Sequence, residues 1–415
     1  MWQFVHRNRQ RVVIVGGNFA GLSAASKLSR RFDVTVIDPL QNFEWTPNIH
    51  EILSGVKSEN GLLLSRSKIL QRLGHQFLQD SVSNISIEDN LVHTQAGIQL
   101  PYDYCVVATG GERQTYGAAG AEENSFPFLA VHHIRAIKKR LSTLLDRQDK
   151  VNVAIVGGGV SGVEALGELL RHDPFHARLN LTLVEAGARI LPSLPRQLDT
   201  DIRQYLKKYN VALSLDAAVT SLSTDEVELS NGNSVAADLT IWAAGVKPPE
   251  LLVRSGLLKQ GDNWAPTKQT LQSQYADNVF VIGDAGELPK PIRKQAYFAI
   301  EMGESAARNI QLLARSRPLK CFKPVNKPML IAFGAIDTYL VVGNTVVAGK
   351  VLAAAKEGIF QLSMFRLGLP LGFLDTQFNT SLRFFTSVKR IFLPELLSLQ
   401  KIKSLKGVRV LTSNP

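Results

Sequence analysis

Two stretches of the chain repeat one pattern. "RVVIVGGNFAGLSAASKL" (Arg11 to Leu28) reads as a short apolar strand, a glycine turn and a helix, and "NVAIVGGGVSGVEALGEL" (Asn152 to Leu169) does so again. Each is followed by a second apolar strand, "DVTVIDP" or "LNLTLVEAG", that ends on an acid, Asp38 or Glu185. Strands buried on both faces read as continuous apolar runs, and parallel neighbours need a crossover of this length. Two complete units predict an α/β chain with two Rossmann-like dinucleotide-binding domains.

In the second unit the fingerprint G-x-G-x-x-G is intact at Gly157, Gly159 and Gly162. In the first, Gly16 and Gly21 hold the outer places, Gly17 lies between, and Asn18 takes the middle one. These glycines make the turn, admit a pyrophosphate and let the helix pack closely, while the helix N-terminus receives the phosphate charge. Asparagine is the residue that best tolerates a left-handed backbone after glycine, and its amide is a phosphate donor, so Asn18 is expected to be a working variant. The terminal acids accept hydrogen bonds from a ribose hydroxyl. Glu185 would repel a 2′-phosphate, which favours NADH over NADPH, with Arg189 the nearby cation that could answer one.

At 415 residues the chain should form two or three domains. Two cysteines, Cys105 and Cys321, provide no disulfide framework and suggest a reducing compartment. The N-terminus "MWQFVHRNRQ" lacks the apolar core of a signal peptide, and no apolar run is long enough to span a membrane, so an intracellular chain is expected. The eight histidines have no metal-ligand spacing, and no metal is expected.

Three more strands end in small residues: "YCVVATGG" (Tyr104 to Gly111), "LTIWAAGVKP" (Leu239 to Pro248) and "NVFVIGDAGEL" (Asn278 to Leu288). In this order around the second fingerprint, Gln10 to Ile310 resembles the pyridine nucleotide-disulfide reductase superfamily. The resemblance implies an FAD domain over 8–118 and 266–322 interrupted by an NAD(H) domain over 119–265, then a C-terminal domain over 323–377. It implies FAD contacts from Gly16, Gly17, Asn18, Gly21, Asp38, Val82, Thr109, Gly110, Gly283 and Asp284. NADH contacts are implied at Gly157, Gly159, Gly162, Glu185 and Gly245.

Members that work on disulfides or sulfide need redox-active cysteines beside the flavin. Here that place reads "NFEWTPNIHEILSG" (Asn42 to Gly55), without one. It is similar instead to the F-x-x-T-P-x-x-x-E-x-x-x-G segment of type II NADH dehydrogenases, matching at Thr46, Pro47, Glu51 and Gly55. "GVSGVEALGEL" resembles their nicotinamide helix, with Glu164 and Glu168 in place. "AFGAIDTYLVVGNTVVAGKVLAAAKEGIF" resembles the start of their C-terminal region and puts Lys356 where a lysine lies close to the flavin. One departure concerns their motif A-Q-x-A-x-Q-Q-G. Here "KQAYFAIEMG" places Tyr297, Glu301 and Met302 at the three glutamine positions, and a tyrosine at the first is closer to the branch related to apoptosis-inducing factor.

The resemblance implies hydride transfer from NADH to FAD and two electrons onward to a quinone, without proton pumping. Glu164 is the candidate for positioning the nicotinamide or relaying a proton, against a helix carboxylate held by a nearby cation. Lys356 either stabilises reduced flavin or is solvated. Tyr297 lines the acceptor pocket or packs on the flavin domain. His50 is either a proton donor or a hydrogen-bonded structural histidine. Two alternatives stay open: a soluble FAD-dependent NAD(P)H oxidoreductase with another acceptor, and a signalling flavoprotein.

The net charge of +11 concentrates at the end of the chain, where Thr380 to Pro415 carries seven Lys or Arg against the single acid Glu395. In "FNTSLRFFTSVKRIFLPELLSLQKIKSLKG" (Phe378 to Gly407), Phe378, Leu382, Phe385, Val388 and Phe392 share one helical face, with Arg383 and Arg390 opposite. The span 378–415 is therefore expected to be a basic amphipathic tail on a membrane surface, which puts the protein peripherally on the cytoplasmic side. The other reading packs the same faces on the body or in a homodimer. No nucleic-acid reading motif accompanies the charge.

Overall fold

The computed structural model describes residues 9–171, 175–325, 327–368 and 407–412. The chain divides into two compact units. The first comprises Met1–Glu44, Leu63–Glu112 and Val246–Val325, and the second comprises Trp45–Leu62, Arg113–Gly245 and Asn326–Pro415.

In the first unit a five-stranded parallel sheet runs in the order Val279–Val281, Tyr104–Val107, Gln10–Val15, Phe32–Ile37, Gln76–Leu78. The central strand has four consecutive buried residues, Val12 to Val15, as a parallel strand covered on both faces must. Each such side chain contributes about 1.5–3 kcal/mol of burial. The helix Phe19–Lys27 connects the two central strands and packs on the helix Ala296–Leu313. Their backbones nearly touch: a Cβ on Gly303 would lie 2.3 Å from the carbonyl oxygen of Ala20. A three-stranded antiparallel sheet, Val82–Ser86, Leu91–Thr94 and Gln99–Pro101, completes this unit's main sheets. Val82 is half-buried there, against the same core as Val13, Val107 and Val281.

The second unit repeats the design. Its parallel sheet has the order Phe126–Pro127, Leu239–Trp242, Val151–Val156, Leu179–Val184, Ala212–Ser214. The helix Val160–Arg171 crosses between the two central strands. An antiparallel sheet closes the C-terminal part, from Met329–Phe333 through Asp337–Val342 and Thr345–Ala348 to Arg409–Leu411. It packs on the helix Val160–Arg171 so tightly that Gly167 allows no side chain: a Cβ there would lie 2.4 Å from the Gly334 amide nitrogen. The fold class is the expected one, two Rossmann-like units in one chain.

The division differs from the expected boundaries in several places: Val246–Ala265, expected in the NAD(H) domain, groups with the first unit, and most of the expected C-terminal domain groups with the second. Trp45–Leu62, expected within the first dinucleotide domain, groups with the second unit. The cause is burial: its helical turn Thr46–Ile52 places Asn48, Ile49, His50, Glu51 and Ile52 inside, and Trp45 meets Phe360 edge-on at 6.0 Å. Most of the amphipathic stretch Phe378–Gly407 lies outside the described residues. Arg409, counted with that basic tail, sits on the edge strand of the C-terminal antiparallel sheet and clamps Asp201 at 2.9 Å and Asp337 at 2.6 Å. Among the described residues no helix is long and apolar enough to cross a membrane.

Candidate dinucleotide sites and a buried ionic cluster

The first turn is held by contacts that only glycine permits. Gly16 has φ +98°, and a Cβ on Gly21 would sit 1.8 Å from the carbonyl oxygen of Gly16. The Gly17 N–H donates to Asp38 Oδ2 at 2.7 Å, and the Leu40 N–H to Oδ1 at 2.9 Å. Asn18 has φ −100° and ψ −150°, an extended backbone. Tolerance of left-handed angles is therefore not what its position asks; its Oδ1 instead accepts the Glu44 N–H at 3.2 Å.

Arg66, which no local motif singles out, is part of this turn. It is 2% exposed, donates from Nε to the Gly17 carbonyl at 2.6 Å and from Nη1 to the Leu40 carbonyl, and pairs with Asp38 Oδ1 at 2.9 Å. Burial lowers its pKa against the opposing pull of Asp38 and Glu44, yet it stays charged.

The second turn has the same geometry. Gly157 has φ +107°, and a Cβ on Gly162 would lie 1.9 Å from the Gly157 carbonyl oxygen. A Cβ on Gly159 would meet no described atom within 4 Å, so the protein's own packing does not demand glycine there. Glu185 accepts the Gly158 N–H at 2.7 Å and the Gly187 N–H at 2.8 Å. A cavity of about 440 Å³ opens beside them, lined among others by Gly157, Gly159, Glu185, Leu191, Tyr116 and Gly245. Arg189 is committed elsewhere, to the carbonyls of Leu191, Pro192 and Leu194.

Back in the first unit, Thr109 and Gly110 end the strand Tyr104–Val107. The Thr109 hydroxyl is shut off from solvent with no hydrogen-bond partner among the described residues, and a Cβ on Gly110 would face open space. Gly283 has φ +65°, and Asp284 beside it is half-buried, its pKa raised by burial and partly restored by Lys294. Tyr297 is half-buried in the first turn of the helix Ala296–Leu313, its ring 4.4 Å from that of Phe298.

Glu164 and Lys356 come together in the second unit, and His50 joins them. Glu164 Oε1 accepts from Lys356 Nζ at 2.8 Å and from the Ala332 N–H at 3.2 Å. Lys356 Nζ is also 3.0 Å from His50 Nε2, while His50 Nδ1 is 3.5 Å from Glu164 Oε2. An ammonium can only donate, so Nε2 accepts and the neutral imidazole carries its proton on Nδ1, toward Glu164. Burial first, then Lys356, hold the His50 pKa well below its ordinary value; Glu51 opposes them, and Arg171 and Lys57 add to the lowering. Around this core, Lys57 lies 3.5 Å from Glu51 and 2.6 Å from Glu357, and over the ring of Phe360 at 4.0 Å. Glu168 is wholly buried, takes a hydrogen bond from Ser54, lies 3.1 Å from Arg171, and is raised to about 6 chiefly by burial. Among the described residues no group of three or more histidine, cysteine or acidic side chains has the arrangement of a metal site.

Both cysteines are free, and burial pushes the Cys105 thiol up, far from a reactive thiolate. Thiol–disulfide chemistry at a Cys pair is thereby closed to this chain, although its family is named for it. Residues 10–303 match the family model of the pyridine nucleotide-disulphide oxidoreductases, and the chain belongs to that family. Its relatives narrow the class. A type II NADH:quinone oxidoreductase of Haemophilus influenzae is 29% identical, over 85% of this chain and 92% of that protein. One from Staphylococcus saprophyticus is 28% identical over 87% and 97%. The solved structure of NDH2 from Plasmodium falciparum in complex with NADH superposes with a TM-score of 0.78 at 15% identity, covering 87% of this chain and 95% of that one. The sulfide:quinone oxidoreductase of Aquifex aeolicus gives 0.76 at 18% identity, over 98% of both chains. At such identities the two structures speak for the fold alone.

Proposed function

We propose that the chain is an FAD-dependent NADH:quinone oxidoreductase of the type II kind. The carrying observation is the neutral His50 held between Lys356 and Glu164 in a unit that also bears a dinucleotide turn and cavity. The names of the Haemophilus and Staphylococcus relatives point the same way. FAD fits the first unit: Thr109 has an orphaned hydroxyl, Gly110 fronts open space, and Gly17 and Asp38 form a turn ready for pyrophosphate and ribose. Asn18, Gly16, Gly21, Val82, Gly283 and Asp284 complete the proposed FAD contacts. NADH fits the second cavity, with Gly157, Gly159 and Gly162 at the pyrophosphate, Gly245 at the rim and Glu185 at the ribose. The engagement of Arg189 with backbone carbonyls leaves Glu185 to reject a 2′-phosphate.

Bound FAD would supply the hydride-accepting and electron-donating chemistry between NADH and the quinone. The protein's own task is a proton. Reducing a quinone to a quinol takes two protons and NADH brings one, so each turnover draws one from solvent. Lys356 holds on Nζ the proton that it would give to the acceptor and take back from solvent, while His50 Nε2 and Glu164 Oε1 accept from it and hold it in place. Glu168, near 6, can store a proton one helical turn further on. Lys356 is the candidate cation for the negative charge that would develop during reduction. Tyr297 is assigned to the acceptor pocket, by stacking.

The membrane assignment follows from the acceptor and the tail. A lipid-soluble quinone is reached from a bilayer surface, and the basic amphipathic stretch Phe378–Gly407 suits an anionic cytoplasmic leaflet, each basic residue adding about 1 kcal/mol. A homodimer is the competing way to cover the same faces; vesicle flotation alongside size-exclusion separates the two.

The deciding test is NADH consumption by the purified yellow protein under argon, with and without a short-chain quinone. Many-fold acceleration by quinone supports the reading. Bleaching of the flavin by NADH with turnover indifferent to quinone would leave a flavoprotein with a different acceptor.

A further inference from the structure

One residue at the nucleotide cavity is placed at a conformational disadvantage. Thr115–Ala118 is a tight turn closed by the Ala118 N–H donating to the Thr115 carbonyl at 3.0 Å. Its two central residues, Tyr116 and Gly117, have φ of +54° and +78°. That is the φ pair of a type I′ turn, whose first central place favours asparagine, aspartate or glycine. A bulky aromatic residue at positive φ is a true outlier. The fold gains little in return, because the Tyr116 side chain is 70% exposed.

The turn is nevertheless firmly pinned. The Tyr116 N–H donates to Gln114 Oε1 at 3.2 Å, and the Trp242 indole N–H donates to the Gln114 carbonyl at 2.8 Å. The phenol lies over Gly245, where a Cβ would stand 2.4 Å from its hydroxyl oxygen, and Gly245 has φ +80°. So the hydroxyl end of the phenol abuts a bare backbone, and Tyr116 lines the cavity that Gly157, Gly159 and Glu185 also line. A strained backbone, an exposed ring and a cavity wall coincide in one side chain. Strain of this kind persists where the surroundings over-determine it, and such positions cluster at ligand sites.

We infer that Tyr116 is a specificity-determining residue of the nucleotide pocket, stacking its ring on one of the planar rings of the dinucleotide. This rests on the proposed NADH site. A tyrosine offers a large flat face at small conformational cost, and with only its hydroxyl end against Gly245 the exposed ring is available to a ligand.

The test uses the FAD-loaded full chain and two non-reducing probes, NAD⁺ and ADP-ribose, measured by isothermal titration together with thermal melting. Tyr116→Phe keeps the ring, and both affinities should stay within about twofold. Tyr116→Asn supplies the residue that the turn prefers and removes the ring. NAD⁺ affinity should then fall about tenfold, while the melting temperature holds or rises. An equal loss for ADP-ribose assigns the stacked ring as adenine, and a loss confined to NAD⁺ assigns nicotinamide; both support the inference. Unchanged NAD⁺ affinity in Tyr116→Asn, or a lowered melting temperature in that variant, overturns it. A wild-type chain that binds NAD⁺ not at all overturns the nucleotide reading, and this inference with it.

Discussion

Lys356 Nζ lies 2.8 Å from Oε1 of Glu164, a residue 192 positions earlier in the chain. Both side chains are about one-tenth exposed, and His50 touches each of them. Two long-range partners and a neutral imidazole thus form one buried unit. Breaking such a pair from one side leaves a charge without compensation, whereas replacing both sides leaves none.

Glu164→Gln and Lys356→Met should therefore each lower stability by about 3 kcal/mol, and the double variant should recover most of the loss. Urea denaturation of the four proteins measures this, and simple additivity would argue against the pairing. With quinone as acceptor, Glu164→Gln should also reduce kcat by about a hundredfold with a smaller change in KM for NADH.

The pH dependence of stability has two opposing parts. His50 is held neutral in the fold, so below about 6.5 the unfolded chain binds a proton that the folded one does not, and stability falls with pH. Glu168 is raised to about 6; its contribution is present below about 4.5 and lost as pH rises through 6. Melting temperatures from pH 5 to 8 should show His50→Gln gaining on the wild type as pH falls, and Glu168→Gln gaining as it rises. The same slope in all three proteins would contradict both assignments.

At the turns, the two kinds of glycine should separate cleanly. Gly21→Ala and Gly162→Ala place a methyl within 2 Å of a carbonyl oxygen and should abolish folding of their units, seen as insoluble or flavin-free protein. Gly159→Ala points into open space: the melting temperature should hold while NADH binding weakens about tenfold. Asn18→Gly should leave the flavin content unchanged.

Arg66 should behave as part of the FAD turn. Arg66→Met strands Asp38 without its cation, and a loss of 3 kcal/mol or more, about that of a broken buried pair, is expected, together with a reduced flavin-to-protein absorbance ratio. Flavin retained at the wild-type ratio would mean that Arg66 serves packing alone.

On the membrane side, Lys401, Lys403 and Lys406 are the residues to neutralise. Arg409 is not, because it clamps Asp201 and Asp337. The triple glutamine variant should lose about 3 kcal/mol of binding to anionic vesicles, with soluble-quinone activity intact, and the wild type should release at high salt. Equal flotation of the two proteins would favour apolar packing or dimerisation.

What the sequence determined by itself is local. A βα turn and its helix fall within about twenty residues, and the glycines that make the turn collide with each other's backbone when substituted, as Gly21 does with Gly16. Apolar runs and terminal acids thus suffice to spell two Rossmann-like units. The backbone of Asn18 was beyond such reading, because its extended angles follow from the accepted Glu44 N–H rather than from its own preference. Tertiary structure alone decided the rest. Arg66 reaches Asp38, Ser54 reaches Glu168, and Lys356 reaches both His50 and Glu164 across 306 and 192 residues. Whether a charged side chain is solvated or buried against its opposite depends on which distant segment covers it, and a local pattern carries no trace of that.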